Sequence, residues 1–261
     1  MLQEIDKALV KERFKKSMSL TSYDKNASVQ SIMAEHLLKE LELFSKGRSF
    51  KKIFELGAGT GILTRKILSV YNPEIFITND LVEDSEKYIK SIIDSYSKPC
   101  RYDFISGDIE KITEYPKNID LVISNATIQW LADIKLFFRK LAANISKGTM
   151  IAFTTFGPDN LLEFNKVNSS RLKYTGIDDI REMLKNEFEI YKIKDEHLKL
   201  EFDLPVGVLR HLRVTGVTGI SRISWTKKQL EEFTMNYIKN FGSGNGVTLT
   251  YNPIYLIGKR K

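Results

Sequence analysis

The chain has 261 residues, 42% of them apolar, and a net charge of +7, enough material for one core with a covering lid. No uncharged apolar run is long enough to span a bilayer, and the N-terminal Met1-Leu-Gln-Glu-Ile-Asp-Lys lacks a secretory leader's apolar stretch, so a cytoplasmic protein is expected. The lone Cys100 excludes an internal disulfide and reads as a strand-edge packing residue, while His36, His197 and His211 are too scattered to suggest a metal site. Basic residues gather at 7–16, at 210–228 and in the tail Lys259-Arg260-Lys261. Such patches steer polyanions, whether nucleic acid, a membrane surface or an acidic protein, and charge alone does not choose among them.

In chain order, apolar residues at Val29, Ile32, Met33, Leu37, Leu38, Leu41 and Phe44 make the stripe of an amphipathic helix. It feeds a first strand, Phe50-Lys-Lys-Ile-Phe54, followed by a glycine-rich turn and a second helical stripe from Ile62 to Leu68. Further strands read as Glu74 to Asp80, Tyr102 to Asp108, Ile119 to Asn125 and Lys147 to Thr155. Strands alternating with helices predict a parallel sheet covered on both faces. Beyond it, 159–167 and 177–186 look helical, and 188–202 alternates like one strand. Residues 205–214 and 226–241 look helical again, and Gly242-Ser-Gly-Asn-Gly246 turns into strands at 247–251 and 254–258. There are no repeats, low-complexity tracts or linkers.

The turn itself is Glu55-Leu56-Gly57-Ala58-Gly59-Thr60-Gly61. Its G-x-G-x-G spacing departs from the dinucleotide fingerprint G-x-G-x-x-G, and Glu55 would repel a pyrophosphate. A cationic ligand would suit it. The pattern resembles the first motif of the Rossmann-like S-adenosyl-L-methionine methyltransferases. That resemblance implies an α/β fold, the seven-stranded class I sheet, with helical lid elements. Residues 1–261 would form one methyltransferase domain, closed by an antiparallel hairpin and lidded by about 1–45 and an insertion at about 205–245. Glu55, Gly57, Ala58, Gly59 and Gly61 would hold the methionine part, Asp80 and Leu81 the ribose side, Asp108 and Ile109 the adenine side, with Asn125 on the same rim. For Asp80 and Asp108 a plain strand-end or helix-capping role is the competing reading.

The acceptor is narrowed by the fourth strand's end, Asn125-Ala-Thr-Ile-Gln-Trp130, which lacks the Asn/Asp-Pro-Pro-Tyr/Phe turn common in methylation of nucleobase and amide nitrogens. Four further segments are similar to the malonyl-acyl-carrier-protein O-methyltransferases of biotin synthesis: Tyr23-Asp-Lys-Asn-Ala-Ser-Val-Gln30, Ser124 to Trp130, Phe153-Thr-Thr-Phe-Gly157 and Leu209-Arg-His-Leu-Arg-Val-Thr-Gly216. The resemblance spans essentially the whole chain. Arg213, where lysine is frequent, and Asn79 beside Asp80 are modest departures.

What this implies is methyl transfer to the free carboxylate of a malonyl thioester, on acyl carrier protein or coenzyme A, leaving S-adenosylhomocysteine and needing no metal. A malonyl carboxylate is already ionised at neutral pH, so no general base is required, and none is evident. Tyr23, Gln129, Arg210 and His211 are the catalytic candidates: Tyr23 closing over the cofactor, Gln129 bonding thioester or carboxylate, Arg210 or His211 gripping one carboxylate oxygen. Trp130 would wall the substrate pocket and Arg213 would meet substrate or carrier, while Phe156 and Trp225 read as packing. The acidic carrier protein is the expected partner, with membrane and nucleic acid disfavoured and a monomer expected. Two other readings remain: a methyltransferase for aconitate-like acids or quinone precursors, and a basic RNA-binding module on the same fold.

Overall fold

The computed structural model describes residues 5–18, 23–168, 173–216, 225–244 and 246–261. Helices α1 (Lys7–Met18), α2 (Tyr23–Asn26) and α3 (Ser28–Ser45) come first. In α3 the predicted stripe is the buried face apart from Ile32, which is exposed, with Val29, Met33, Leu37 and Leu41 nearly solvent-free. The alternation that follows is β1 (Lys52–Leu56), α4 (Ile62–Val70), β2 (Ile75–Asp80), α5 (Ser85–Asp94), β3 (Arg101–Ser106), β4 (Leu121–Ser124), α6 (Ile134–Asn144) and β5 (Met150–Phe156). The remaining elements are α7 (Leu162–Val167), α8 (Ile177–Leu184), β6 (Phe188–Asp195), β7 (Leu198–Phe202), α9 (Pro205–Val214), α10 (Lys227–Phe241), β8 (Gly242–Ser243), β9 (Gly246–Tyr251) and β10 (Pro253–Arg260).

Seven strands form one sheet in the order β3-β2-β1-β4-β5-β10-β6. β1 pairs in parallel with both β2 and β4, and β10 runs antiparallel to β5 and β6. Strands covered on both faces lose the in-out alternation of a half-exposed sheet, which explains why β4 and β5 are buried throughout. Neighbouring β1 residues feed opposite layers: Ile53 joins Met33, Leu37 and Ile67, while Phe54 joins Phe137, Phe138 and Phe153. The chain reverses its lateral order at β1 and β4, so the crevice beyond their carboxyl ends is where this architecture places a ligand.

The expected single strand over 188–202 is two. β6 stays in the main sheet beside β10, whereas β7 leaves it to pair with β9 in a second sheet ordered β7-β9-β8. The break is held by Asn252, whose Nδ2 donates to Asp195 Oδ2 at 3.1 Å and to the Glu196 carbonyl at 3.0 Å. Alternation of side chains continues across such a bend, so periodicity alone could not reveal it.

α9 and α10 flank this small sheet. Val208, Leu212, Phe233, Tyr237 and Leu249 belong to the same apolar cluster as α3 and α4. Inside it, Glu163 accepts from the Thr250 amide at 2.6 Å and from the Thr250 and Thr248 hydroxyls, tying α7 to β9. Cys100 is partly buried beside the start of β3 and packs against the same layer.

Candidate active site

At the carboxyl end of β1 the backbone leaves the sheet through left-handed glycines, with φ of +66° at Gly57, +56° at Gly59 and +85° at Gly61. A Cβ on Gly57 would lie 2.1 Å from Thr127 Oγ1, so the close approach of two strand ends demands glycine there. A Cβ on Gly59 would meet nothing within 4 Å, because that glycine borders open space. Gly61 serves the helix instead: it starts α4 and packs against Ile92 of α5.

That space is a cavity of about 140 Å³. Glu55, Gly57, Ala58, Gly59, Asp80, Leu81, Asp108, Ile109, Asn125, Gln129 and Trp130 all line it, so most of the residues proposed from sequence converge on one volume. Glu55 is 1% exposed and accepts a 2.6 Å hydrogen bond from Thr64 Oγ1. Burial, helped by the negative charge of Asp80, pushes its pKa up to about 8. Asp80 accepts from the Gly59 amide at 2.7 Å and the Val82 amide at 2.8 Å, binding the end of β2 to the glycine turn. Its pKa is raised by burial and pulled back by those amides.

Asp108 performs the capping role weighed above and also borders the cavity. Its Oδ1 accepts from the Glu110 amide at 3.1 Å and from Lys7 Nζ at 3.2 Å. Asn125 joins α3 to β5, donating to the Gln30 carbonyl at 2.9 Å and accepting from Thr154 Oγ1 at 2.6 Å. Next to it, Ala126 sits at φ +52°, an uncommon backbone state for alanine. Two bonds hold it there: its amide donates to Thr154 Oγ1, and its carbonyl accepts from Gln129 Nε2 at 2.7 Å. Gln129 thus has one amide end committed, and its Oε1 takes a 3.3 Å bond from Thr155. Trp130 forms one wall, edge-on to Phe14 at 5.5 Å between centroids.

The predicted α9 residues fall elsewhere. His211 is buried behind the cavity, its Nε2 2.8 Å from the Tyr251 hydroxyl and its ring against Phe202. Burial lowers its pKa to about 4, so at neutral pH it is an uncharged core residue and no anchor for a carboxylate. Arg210 and Arg213 are exposed and do not line the cavity. The helical period accounts for this: positions 208, 211, 212 and 215 face inward, leaving 210 and 213 outward. Tyr23 opens α2, and its side chain lies outside the described residues, as do residues 217–224 of the predicted insertion.

Sequence reasoning missed several lining residues. Lys7, Val10, Phe14 and Met18 of α1 close one side, and Phe156, Tyr174 and Thr215 close another. Phe156 was expected only to pack. Gln30 and Thr215 stand inside quoted motifs and could have been assigned from them. Gln30 Oε1 is buried without a hydrogen-bond partner, and Gln30 lines the same cavity as Glu55. Among the described residues Lys7 is the single cation of the lining, and it pairs with Asp108 and, at 2.7 Å, with Glu110. No cluster of metal-ligating side chains occurs among the described residues, and no described helix is long and apolar enough to cross a membrane.

Known proteins agree with this geometry. Residues 53–148 match the family model described as a methyltransferase domain. A malonyl-[acyl-carrier protein] O-methyltransferase of Chlorobium luteolum is 36% identical over 96% of this chain and 94% of its own. A protein of the same name from Haemophilus influenzae is 29% identical over 99% of this chain and 96% of its own. Among solved structures, the N-methyltransferase NodS from Bradyrhizobium japonicum, in complex with S-adenosyl-L-homocysteine, superposes with a TM-score of 0.56 over 96% of this chain and 98% of its own. At 8% identity that likeness speaks for the fold alone.

Proposed function

The chain belongs to the malonyl-[acyl-carrier protein] O-methyltransferase family, and we propose how its own residues carry out that family's reaction. The reaction is S-adenosylmethionine-dependent methylation of the free malonyl carboxylate, giving the methyl ester used in biotin synthesis. The observation that carries this reading is the end-to-end match at 36% identity, which decides it against the aconitate, quinone and RNA readings.

The residues suit the cofactor. Glu55 is a buried carboxyl with no cationic partner among the described residues, and Gln30 Oε1 is an orphaned acceptor of a residue lining the same cavity, groups suited to an ammonium. Backbone at Gly57 and Gly59 admits close approach, and Asp80 keeps lone pairs for hydroxyl donors. Asp108 and Ile109 take the adenine side. S-adenosylmethionine supplies the methyl group on a positively charged sulfonium.

The acceptor end is the part lined by Gln129, Trp130, Phe156, Tyr174 and Thr215. It offers aromatic walls and neutral polar groups. A carboxylate held there keeps its nucleophilicity, because Lys7, the single cation of the described lining, is already engaged by Asp108 and Glu110. Tyr174, whose own pKa burial pushes up to about 12, stays protonated and can donate to one carboxylate oxygen. Gln129 positions the segment through Ala126 and Thr155. Catalysis is then alignment in a dry site, an effect worth roughly 7–11 kcal/mol where orientation is good. Tyr23 is assigned to closing the cofactor side on the strength of its motif, and the two lids, 1–45 and 205–245, to excluding water within a single monomeric domain.

Mass spectrometry of malonyl-acyl carrier protein incubated with protein and cofactor tests this. One added methyl on the malonyl carrier and none on an acetyl carrier is expected. No transfer to the malonyl carrier despite cofactor binding would sink it.

A further inference from the structure

α9 presents to solvent a surface the reaction chemistry does not use. Val206, Arg210 and Arg213 lie within about 60° of one another around the helix axis. Leu204 precedes them at 54% exposure and Val206 is 42% exposed, two large apolar side chains at the helix start. Both arginines are exposed, and neither has an ion pair among the described residues. Other exposed cations, Lys15, Lys51, Arg181 and Lys185 among them, have a carboxylate within bonding distance. The opposite side of α9 is core, with Val208 and Leu212 buried, and its end delivers Thr215 to the cavity wall. From Thr215, Arg210 is about 8 Å back along the axis and Val206 about 14 Å, at a rise of about 1.5 Å per residue.

We propose that this outer face of α9, with Val206, Arg210 and Arg213 and the exposed Leu204 that precedes the helix, is the surface on which acyl carrier protein docks. The inference rests on the malonyl-carrier reading given above. The occupant must be acidic, to match two unpaired guanidinium groups, and must bring an apolar patch for Leu204 and Val206. It must also sit close enough to thread an acyl arm past Thr215. A small acidic carrier protein meets all three conditions. A second copy of this chain does not, since an isologous contact would set arginine against arginine. Two arginines beside two aliphatic side chains are also a poor footprint for nucleic acid, which rewards many phosphate contacts.

The test compares two acceptors, malonyl-acyl carrier protein and S-malonyl-pantetheine, with the wild type and an Arg210→Glu/Arg213→Glu variant. The expected result is a KM for the carrier substrate raised at least tenfold, with kcat, cofactor affinity and turnover of the small thioester within twofold. The wild-type KM for the carrier should rise with salt, and the variant should lose that slope. A Leu204→Ser/Val206→Ser variant should raise the same KM without altering its salt dependence. Equal losses on both acceptors would overturn the proposal, as would an unchanged carrier KM or a wild-type dimer that the arginine variant dissociates. Binding of labelled malonyl-acyl carrier protein requires no turnover and probes the same surface independently: it should weaken at least tenfold in the arginine variant, and unchanged affinity would overturn the proposal. A wild type that binds the carrier through these residues yet methylates neither acceptor would refute the enzymatic reading and leave the docking surface standing.

Discussion

Lys7 Nζ stands 3.2 Å from Asp108 Oδ1, so the first described helix is fastened to the end of the third strand across the cavity. Lys11 and Lys15 follow at four-residue intervals and meet Glu83 and Asp84. The three contacts are unequal. Lys7 and its partners are mostly shielded, whereas the Lys15 pair is 59% and 40% exposed and screened by water and salt. Val10, Phe14 and Met18 line the cavity, and we take α1 as the latch over a bound nucleoside. Lys7→Met should therefore speed release of S-adenosylhomocysteine about fivefold, the equivalent of about 1 kcal/mol. Lys15→Met should change it less than about twofold. Stopped-flow displacement measures both, and equal effects would mean that α1 is not the latch.

Gly57 and Gly59 look equivalent in sequence and differ in their surroundings. At Gly57 a methyl group would collide with Thr127 at 2.1 Å, in addition to the left-handed cost of about 1–2 kcal/mol. Gly57→Ala should destabilise the fold and abolish cofactor binding together. At Gly59 the new methyl points into open space, so Gly59→Ala should lose only about 1–2 kcal/mol of stability. Its cofactor affinity should still fall at least tenfold, since the methyl occupies the approach to the cavity. Thermal melts paired with calorimetric binding separate the two outcomes.

These contrasts also show what the sequence could and could not disclose. The glycine turn, Asp80, Asp108 and Asn125 were legible because each ends a strand, and parallel topology delivers strand ends to one rim. α1 was readable only as a basic stretch within the expected N-terminal lid, since the partners that hold it are 69 to 103 residues away. The α9 motif was found, but its roles were misplaced. A motif gives residue order, and only packing decides which face of a helix turns inward: the conspicuous arginines point out, while the plain Thr215 reaches the cavity. Gln30 was visible in its motif but silent, because an orphaned buried acceptor is recognised only when its neighbours are known.

Glu55 links cofactor binding to pH. In the unliganded protein its pKa is pushed up to about 8 from 4.5, so between those values the folded chain keeps a proton that the unfolded chain has lost. Stability of the unliganded protein should accordingly fall as pH rises from 4.5 towards 8 and level off above it. A cation placed against this carboxyl favours the ionised form. Binding of S-adenosylmethionine at pH 7 should release about one proton, read as a dependence of the calorimetric enthalpy on the buffer's ionisation heat. Glu55→Gln should bind more weakly and release none. Proton release that persists in this variant would assign it to another group.

His211 titrates in the opposite sense and gives the sharpest separation of structural from catalytic roles. Its ring is 7% exposed and hydrogen-bonded to Tyr251, and its pKa is lowered to about 4 from 6.5. The folded state therefore holds the neutral ring. Its contribution is fully present above pH 6.5 and is lost as pH falls towards 4, where protonation of the unfolded chain favours unfolding by on the order of 3 kcal/mol. Above neutrality the group should leave the pH dependence untouched. His211→Gln keeps a polar atom near Tyr251 but loses the ring packing against Phe202, and should lower stability by about 1–3 kcal/mol. It should also flatten the acid limb of the denaturation curve. Turnover per folded molecule should stay within twofold of wild type, with an unchanged pH profile. If His211 gripped the malonyl carboxylate as an imidazolium, kcat would instead collapse in this variant at a pH where the protein is fully folded. Chemical denaturation at pH 5 and pH 8, run beside single-turnover methyl transfer, distinguishes these outcomes.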